Sequence, residues 1–470
     1  MNYLLLVTLL AACAQRVENI GNTLDQPPNG AVPEPETHAI RWAATFGTDG
    51  TNESRAVAFA PDGDVIAGIS LSGLHDFGDG NGPLLAPAVT ALLTRRAASD
   101  GHEIWTKTFA PGGFASVDEV AVDHGGAVIV AGSYFGTLQL GTATLQSDPT
   151  FGEMFVVKYD SAGDLAWVQR GGTAAALSPR ALAVDAEGNV FVGAWFATGT
   201  LAFLGETYTA TDPDAVLLAY APDGTPRWSR LFQAPGFQSI DALAVGPSGE
   251  VAFAGSTSAP CSFGGAVFTP GYMNGVVGML ANDGSHLWSS MIGPVDPSGL
   301  TVIEGAVIDS TGRAIFQSQE QINNLLAEGV WPVQVVHAYD PSGTSLWTET
   351  IAIENSLRAM SLLPDDSLGS SAWIDARATH PDDPGGSWEM RKLAPDGSLS
   401  AIEQAGTRVD ASPGGPTVIW KTATGASGEI AAVGEFAGTI DFDEGAVDGG
   451  TGHGSHAMLF VVDPQPAAAP

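Results

Sequence analysis

Apolar and polar positions alternate along this chain in short runs of period two, each bounded by Gly, Asp, Pro or Ser, and the runs themselves recur. The clearest copies read VAFAPDGDVIAGISLSG from Val57, VAVDHGGAVIVAGSYFG from Val120, LAVDAEGNVFVGAWFAT from Leu182 and LAVGPSGEVAFAGSTSA from Leu243. Fainter copies follow: AVIDSTGRAIF from Ala306, MSLLPDDSLGSSAW from Met360 and TATGASGEIAAVGEFAG from Thr422. Their turn positions Gly63, Gly126, Gly188, Gly249, Gly312, Ser367 and Gly428 fall 55 to 63 residues apart. Period-two alternation marks a strand with two different faces, and a unit repeated at a near-constant interval marks a modular array.

A second signal runs in step with the first. Each unit also holds a tight turn followed by a tryptophan strand: SDGHEIW to Trp105, SAGDLAW to Trp167, PDGTPRW to Trp228, NDGSHLW to Trp288 and PSGTSLW to Trp347, while the sixth copy, PDGSLSA, lacks its tryptophan. Four short strands per unit, joined by turn residues, is a propeller blade. The chain ends complete the count. IRWAATFG from Ile40 is a tryptophan strand with no preceding partners, and MLFVVD from Met458 is a third strand with no tryptophan strand after it. Paired, they finish one blade and remove the last exposed edges. The expected fold is therefore all-β: a seven-bladed β-propeller of four-stranded antiparallel blades, closed by the N-terminal strand. Its bounds are 39–463, with 464–470 as a tail. Only the stretch SQEQINNLLAEG from Ser318 is ambiguous between strand and helix.

Charge narrows the partners. Lys+Arg 18 against Asp+Glu 52 leaves no basic stripe to neutralise phosphates, which excludes nucleic acid. Besides Cys13 only Cys261 is present, so the fold is not stapled by disulfides, and Cys261 is expected to fill the core.

The N-terminus carries an address. Residues 1–12 form an apolar run too short to span a bilayer, ending Leu10-Ala11-Ala12-Cys13. This resembles a bacterial lipoprotein signal peptide, which implies lipidation at Cys13, and with Ala14 next, anchoring at the outer membrane of a Gram-negative bacterium. Residues 13–38 then form a tether without apolar pattern. The unit VAVDAEGNVFVGAWFATGTLAFLG followed by FVVKYDSAGDLAW resembles the bacterial SBBP-type seven-bladed β-propeller repeat, common in secreted and surface proteins. That resemblance implies the fold and an exported location but no activity. Phrases such as AYDPSGTSLW, from Ala338 to Trp347, are also similar to the tryptophan-docking motif of quinone-dependent propellers, a structural staple between blades.

No linear motif for catalysis stands out: no HExxH, nucleophile elbow, Cys-rich metal pattern or phosphate-cradling glycine loop. His453 and His456 are close enough in sequence to share a metal, although a solvated glycine-rich loop explains them as well. HDFGDGNG from His75 and IDFDEG from Ile440 have the acids and glycines of a calcium loop without its ligand spacing, which leaves Asp76, Asp79, Asp441 and Asp443 as candidates; no other cofactor is indicated.

Superposing the repeats brings out one constellation. Arg55, Asp118, Arg180, Asp241, Glu304 and Arg358 occupy the same position of successive first strands, mostly alternating in sign, and Trp420 takes that place in the seventh unit. First strands are innermost in a propeller, so this position is a ring around the central channel. Interblade salt bridges are the structural role, with Arg180 expected within hydrogen-bond reach of Asp118 or Asp241. The functional role is a polar binding site at the channel mouth, where Trp420 offers an aromatic face for a sugar ring. Two functions follow: a non-catalytic, membrane-tethered binding or scaffold protein for a protein or glycan partner, expected to be a monomer, or a quinoprotein-like or hydrolytic enzyme whose residues converge on the channel from several blades.

Overall fold

The computed structural model describes residues 33, 35–47, 52–75, 84–111, 114–147, 152–171, 175–210, 212–294, 299–321, 333–351, 359–375, 386–405, 407–408, 417–436, 439–441, 446–448 and 456–463. Six antiparallel sheets follow one another along the chain, each built from four consecutive main strands, as in blade three with Ala175–Val184, Val190–Phe203, Asp214–Tyr220 and Pro226–Phe232. The seventh is composite. Val418–Thr424, Ile430–Phe436 and His456–Val462 are completed by Ile40–Phe46, whose residues Trp42 to Phe46 pair in register with Val461 to Ala457. The first strands of successive blades touch one another around a complete circle, which places them at the channel. The seven-bladed propeller, closed by its N-terminal strand, is thus the architecture. Strand Ala314–Gln321 resolves the ambiguous stretch in favour of β-structure as far as Gln321.

Burial explains the two textures of the repeat. Second and third strands such as Val251–Thr257 and Asn274–Leu280 are buried along their whole length, because a blade is covered on both faces. Fourth strands such as His286–Ile292 are only partly covered at the rim, with Trp288 and Ile292 buried and Leu287 exposed. Among the described residues the apolar core is divided into seven clusters, one in each gap between neighbouring blades. Cys261 lies in one of them beside Phe232 and Phe253, and burial pushes its thiol up to about 11.

Fourth-strand tryptophans also staple most of the gaps at the rim. Trp42, Trp167, Trp228 and Trp347 donate their indole N–H to a backbone carbonyl in the turn of the next blade, at 2.8–3.2 Å. The rings lie flat on that turn's glycine. A side chain at Gly101, Gly224, Gly284, Gly343 or Gly397 would overlap the indole of Trp42, Trp167, Trp228, Trp288 or Trp347, and all five glycines hold positive φ. Glycine is thus required twice over, for the left-handed turn and for the close approach. In the turn between first and second strands of blade six, Asp366 takes the left-handed position at φ +61°, one residue before the expected Ser367.

The missing sixth tryptophan has a structural reason. Ala401 stands opposite Lys392 where Trp347 stands opposite Ala338 in blade five. Its indole would have to dock on the third-to-fourth-strand turn of blade seven, and that turn does not exist, because the two strands come from opposite ends of the chain. The N-terminal segment fills the place. Glu36–Thr37 adds a parallel strand to the outer edge of blade six, so the last residues before the propeller are structured, not tether. The buried His38 donates its backbone N–H to Gln404 O at 2.8 Å and its Nδ1–H to Asp463 O at 3.0 Å. Arg41 Nε bonds Asp463 Oδ1 at 2.6 Å, and Arg41 Nη1 donates to Ala98 O at 3.1 Å.

This arrangement predicts an asymmetry between two tryptophan substitutions. Trp42→Ala should destabilise by about 3–5 kcal/mol, since it empties a buried site and removes a hydrogen bond at the closure. Restoring the consensus with Ala401→Trp should fail to stabilise, because Glu36–His38 already occupies the gap. Denaturant unfolding of both variants checks this, and a stabilised Ala401→Trp protein would refute the substitution of segment for staple.

Candidate functional site

Five of the innermost strands carry a charged residue where their ladder slips. Pairing between first and second strands skips one residue at Ser54/Ala56, Val117/Glu119, Pro179/Ala181, Ile240/Ala242, Ile303/Gly305 and Ile419/Lys421. The residues skipped are Arg55, Asp118, Arg180, Asp241, Glu304 and Trp420. A bulge leaves one residue out of the ladder and re-aims its side chain, so the repeated position is a ring of bulge residues. Arg358, the sixth-blade member, lies outside the described residues, immediately before the strand Ala359–Leu362.

The bulge imposes its own sequence rule on the second strand. At Gly132, Gly255 and Gly434 a Cβ would collide with the carbonyl oxygens of Ser116, Ser239 and Val418; at Gly68 and Gly193 it would collide with Val117 and Ile240 of the next blade. In blade five the glycine moves to the other strand, as Gly305 paired with Gln317. Because second strands rise beyond the start of the first, the bulges sit toward the end of the channel that carries the second-to-third-strand hairpins, such as Thr137–Leu140 with Ala143–Gln146 and the Glu206–Ala210 arm of blade three.

Electrostatics divide the ring into two sectors. Around blades seven, one and two it is self-satisfied. The Arg55 guanidinium lies 5.0 Å from the Trp420 ring centroid and bonds Glu53 at 2.9 Å. Lys421 pairs with Glu119 across blade one. The residue after the bulge is small in the other blades, namely Ala56, Ala181, Ala242, Gly305 and Ala359, so this pair has the space to meet. The sequence held that signal, two large opposite charges in a column of small residues, and the ring reading passed over it.

Across blades two to four the expected salt bridges do not form. Asp118 accepts from Ser133 Oγ at 2.9 Å and from Ser116; Asp241 Oδ2 accepts from Ser239 Oγ at 2.5 Å. Arg180 is exposed and, among the described residues, has neither hydrogen bond nor ion pair; it acts on Asp118, Glu119 and Asp241 only as a field. The acids satisfy themselves locally because a serine stands two residues earlier on the same strand, as Ser116 and Ser239 do, and Ser178 repeats the spacing before Arg180. Burial pushes Asp118, Glu119 and Asp241 above the ordinary carboxylate range, and Arg55, Arg180 and Lys421 offset this only in part.

The remaining candidates separate. Asp76, Asp79, Asp443, His453 and Cys13 lie outside the described residues. Asp441 is half-buried in the short strand Thr439–Asp441, and His456 begins a strand with its ring edge-on to Phe436. Among the described residues no group of three or more His, Cys, Asp or Glu is placed to hold a metal ion, and no helix is long and apolar enough to cross a membrane. Ser318, His337 and Glu320 meet in blade five, with Ser318 Oγ at 3.3 Å and Glu320 Oε1 at 3.1 Å from His337. Both approach the same nitrogen, Nε2, whereas a nucleophile relay needs the hydroxyl and the carboxylate on opposite nitrogens.

The protein is a seven-bladed β-propeller with a bulge-lined polar channel. Its fold is similar to that of the Pan2 WD40 domain of Neurospora crassa, with TM-score 0.47 at 10% identity over 91% of this chain and 96% of that one. A Dyadobacter fermentans protein of unknown function gives 0.45 at 10% over 90% and 97%, and the Pseudomonas putida quinohemoprotein alcohol dehydrogenase ADHIIG gives 0.38 at 12% over 92% and 78%. Likeness at this level concerns the fold alone. No protein-family model matches the sequence, and no curated protein does.

The raised carboxyls fix the sign of a pH effect. Each binds its proton more tightly folded than unfolded, so its contribution to stability falls as pH rises from the ordinary carboxylate range through the raised folded value. Asp241→Asn should therefore stabilise by on the order of 1 kcal/mol near pH 7 and change nothing near pH 3. Arg180→Ala should stay within about 0.5 kcal/mol of the parent, whereas Lys421→Ala, which abandons the buried Glu119, should cost about 1–2 kcal/mol. Unfolding curves of the three variants at the two pH values test all of this; an Arg180→Ala loss as large as that of Lys421→Ala would mean that the ring is paired after all.

Proposed function

We propose that this protein is a non-catalytic binding module of the bacterial cell envelope, tethered to the membrane by a lipid on Cys13, which holds a protein or glycan partner at the hairpin-bearing mouth of its channel. The observation that carries the reading is Arg180: a charged side chain re-aimed by a bulge, exposed, and lacking the partner that the alternating ring would have given it. Residues serving ring stability alone would pair, as Lys421 does with Glu119. Leu10-Ala11-Ala12-Cys13 supports lipid attachment and export, as does the likeness of the repeat to the SBBP type. The acid excess keeps such a protein soluble and turns away polyanions, nucleic acid included.

Chemical crosslinking in intact envelopes, followed by recovery of the protein, should capture one dominant partner with the parent chain and lose it with Arg180→Ala, provided that the variant unfolds at the same temperature as the parent. Equal recovery from both would rule out the ring as the site. For the anchor, the parent should incorporate a labelled fatty acid while Cys13→Ala does not, and the substituted protein should leave the membrane fraction or remain unprocessed. Label retained by Cys13→Ala would reject the lipid assignment.

A further inference from the structure

We propose, resting on the binding reading above, that the arc of blades two to four recognises a single carboxylated sugar, a uronic acid residue at the end of a glycan. The argument begins with a solitary cation. Acids outnumber bases by 52 to 18 in this chain, so a lysine or arginine seldom lacks a counter-charge. Arg41, Arg95, Lys158, Arg170, Arg391, Lys392 and Lys421 sit in ion pairs. Arg96, Arg227, Arg230 and Arg313 bond carbonyls or an amide, and Arg55 and Lys107 lie over indoles. Arg180 alone, among the cations whose side chains are described, has no such contact.

An open guanidinium presents a planar fork of donors that fits a carboxylate with two parallel bonds. What stands beside it narrows the ligand further. Asp118 lies on one flank and Asp241 on the other, each held in place by a serine of its own strand, so their remaining oxygens are acceptors of fixed position. The complementary ligand therefore carries one carboxylate with hydroxyl donors around it, and a uronic acid has this pattern on one ring. An acidic peptide brings the carboxylate without the hydroxyls, and its further acids would face Asp118, Asp241 and Glu304. A neutral sugar leaves Arg180 unanswered. One cation rather than a basic stripe means one carboxylate, hence a terminal residue and not a stretch of polyuronate or nucleic acid.

The test measures the affinity of the full chain for three probes, by calorimetry or ligand-observed NMR: a disaccharide of glucuronic acid and a neutral hexose, the same disaccharide with glucose in place of glucuronic acid, and a tetraglutamate peptide. The acidic disaccharide should bind, its neutral counterpart at least about tenfold more weakly, and tetraglutamate no better than the neutral sugar. Arg180→Ala should lose about tenfold for the acidic disaccharide, Arg180→Lys should keep part of it, and the melting temperature of both should match the parent. Equal binding of the two disaccharides, Arg180-dependent binding of tetraglutamate, or no binding of any probe overturns the uronate assignment. The envelope crosslinking experiment separates this failure from that of the broader reading: an Arg180-dependent protein partner would leave the binding function standing and remove only the sugar.

Discussion

Every apolar cluster among the described residues lies between two blades, and that constraint governs the rest of the structure. A single blade buries nothing by itself; its two faces become interior only when a neighbour covers each. A linear row of such sheets would leave two apolar faces bare, so the ring must close. The segment Ile40–Phe46 does so by pairing with His456–Val462, and it brings Ile40 into the cluster between blades six and seven and Trp42 into that between seven and one. One strand from the far end of the sequence therefore completes two interfaces at once. The clamp of His38 and Arg41 on Asp463 holds the seam where no peptide bond does.

Closure also accounts for the irregularities. Ala401 interrupts a column of tryptophans at the one gap whose docking turn is replaced by a break in the chain, and Glu36–His38 is recruited there instead. A degenerate repeat is readily taken as drift; here the lost residue and the added strand are two sides of one geometric fact. The same logic holds in blade five, where glycine moves from the second strand to Gly305 and Gln317 occupies the vacated position, so that the bulge still has one residue without a side chain opposite it.

Much of this was legible from residues alone, because propeller blades are set by local alternation and turn chemistry repeated many times over. The seven-fold count, the pairing of the chain ends and the shared position of Arg55, Asp118, Arg180, Asp241, Glu304 and Trp420 all follow from aligning copies of one unit. What was not legible had long-range or backbone causes. Bulges leave no residue type of their own at the skipped position, so the ring could be located without its reason being seen; the trace lay across the ladder, in Gly68, Gly132, Gly193, Gly255 and Gly434. Alternating signs suggested interblade pairs, yet Ser116 and Ser239 on the same strands reached the acids first. Asp118 and Asp241 need no arginine once a hydroxyl two residues away satisfies them.

That local satisfaction is what leaves the channel chemically available. A ring of full salt bridges would spend its charges on itself, as the sector around Lys421 and Glu119 does. In the opposite sector the half-buried acids are held by hydroxyls, Arg180 stays open between them, and the low-dielectric surroundings that raise Asp118 and Asp241 also strengthen any hydrogen bond formed there. Propeller geometry makes such division possible, since each blade contributes one side chain to the mouth and can be changed without disturbing the interfaces that hold the ring. Stability resides in the gaps between blades and at the seam; recognition requires only the bulge residues, which the ladder has already released from the sheet.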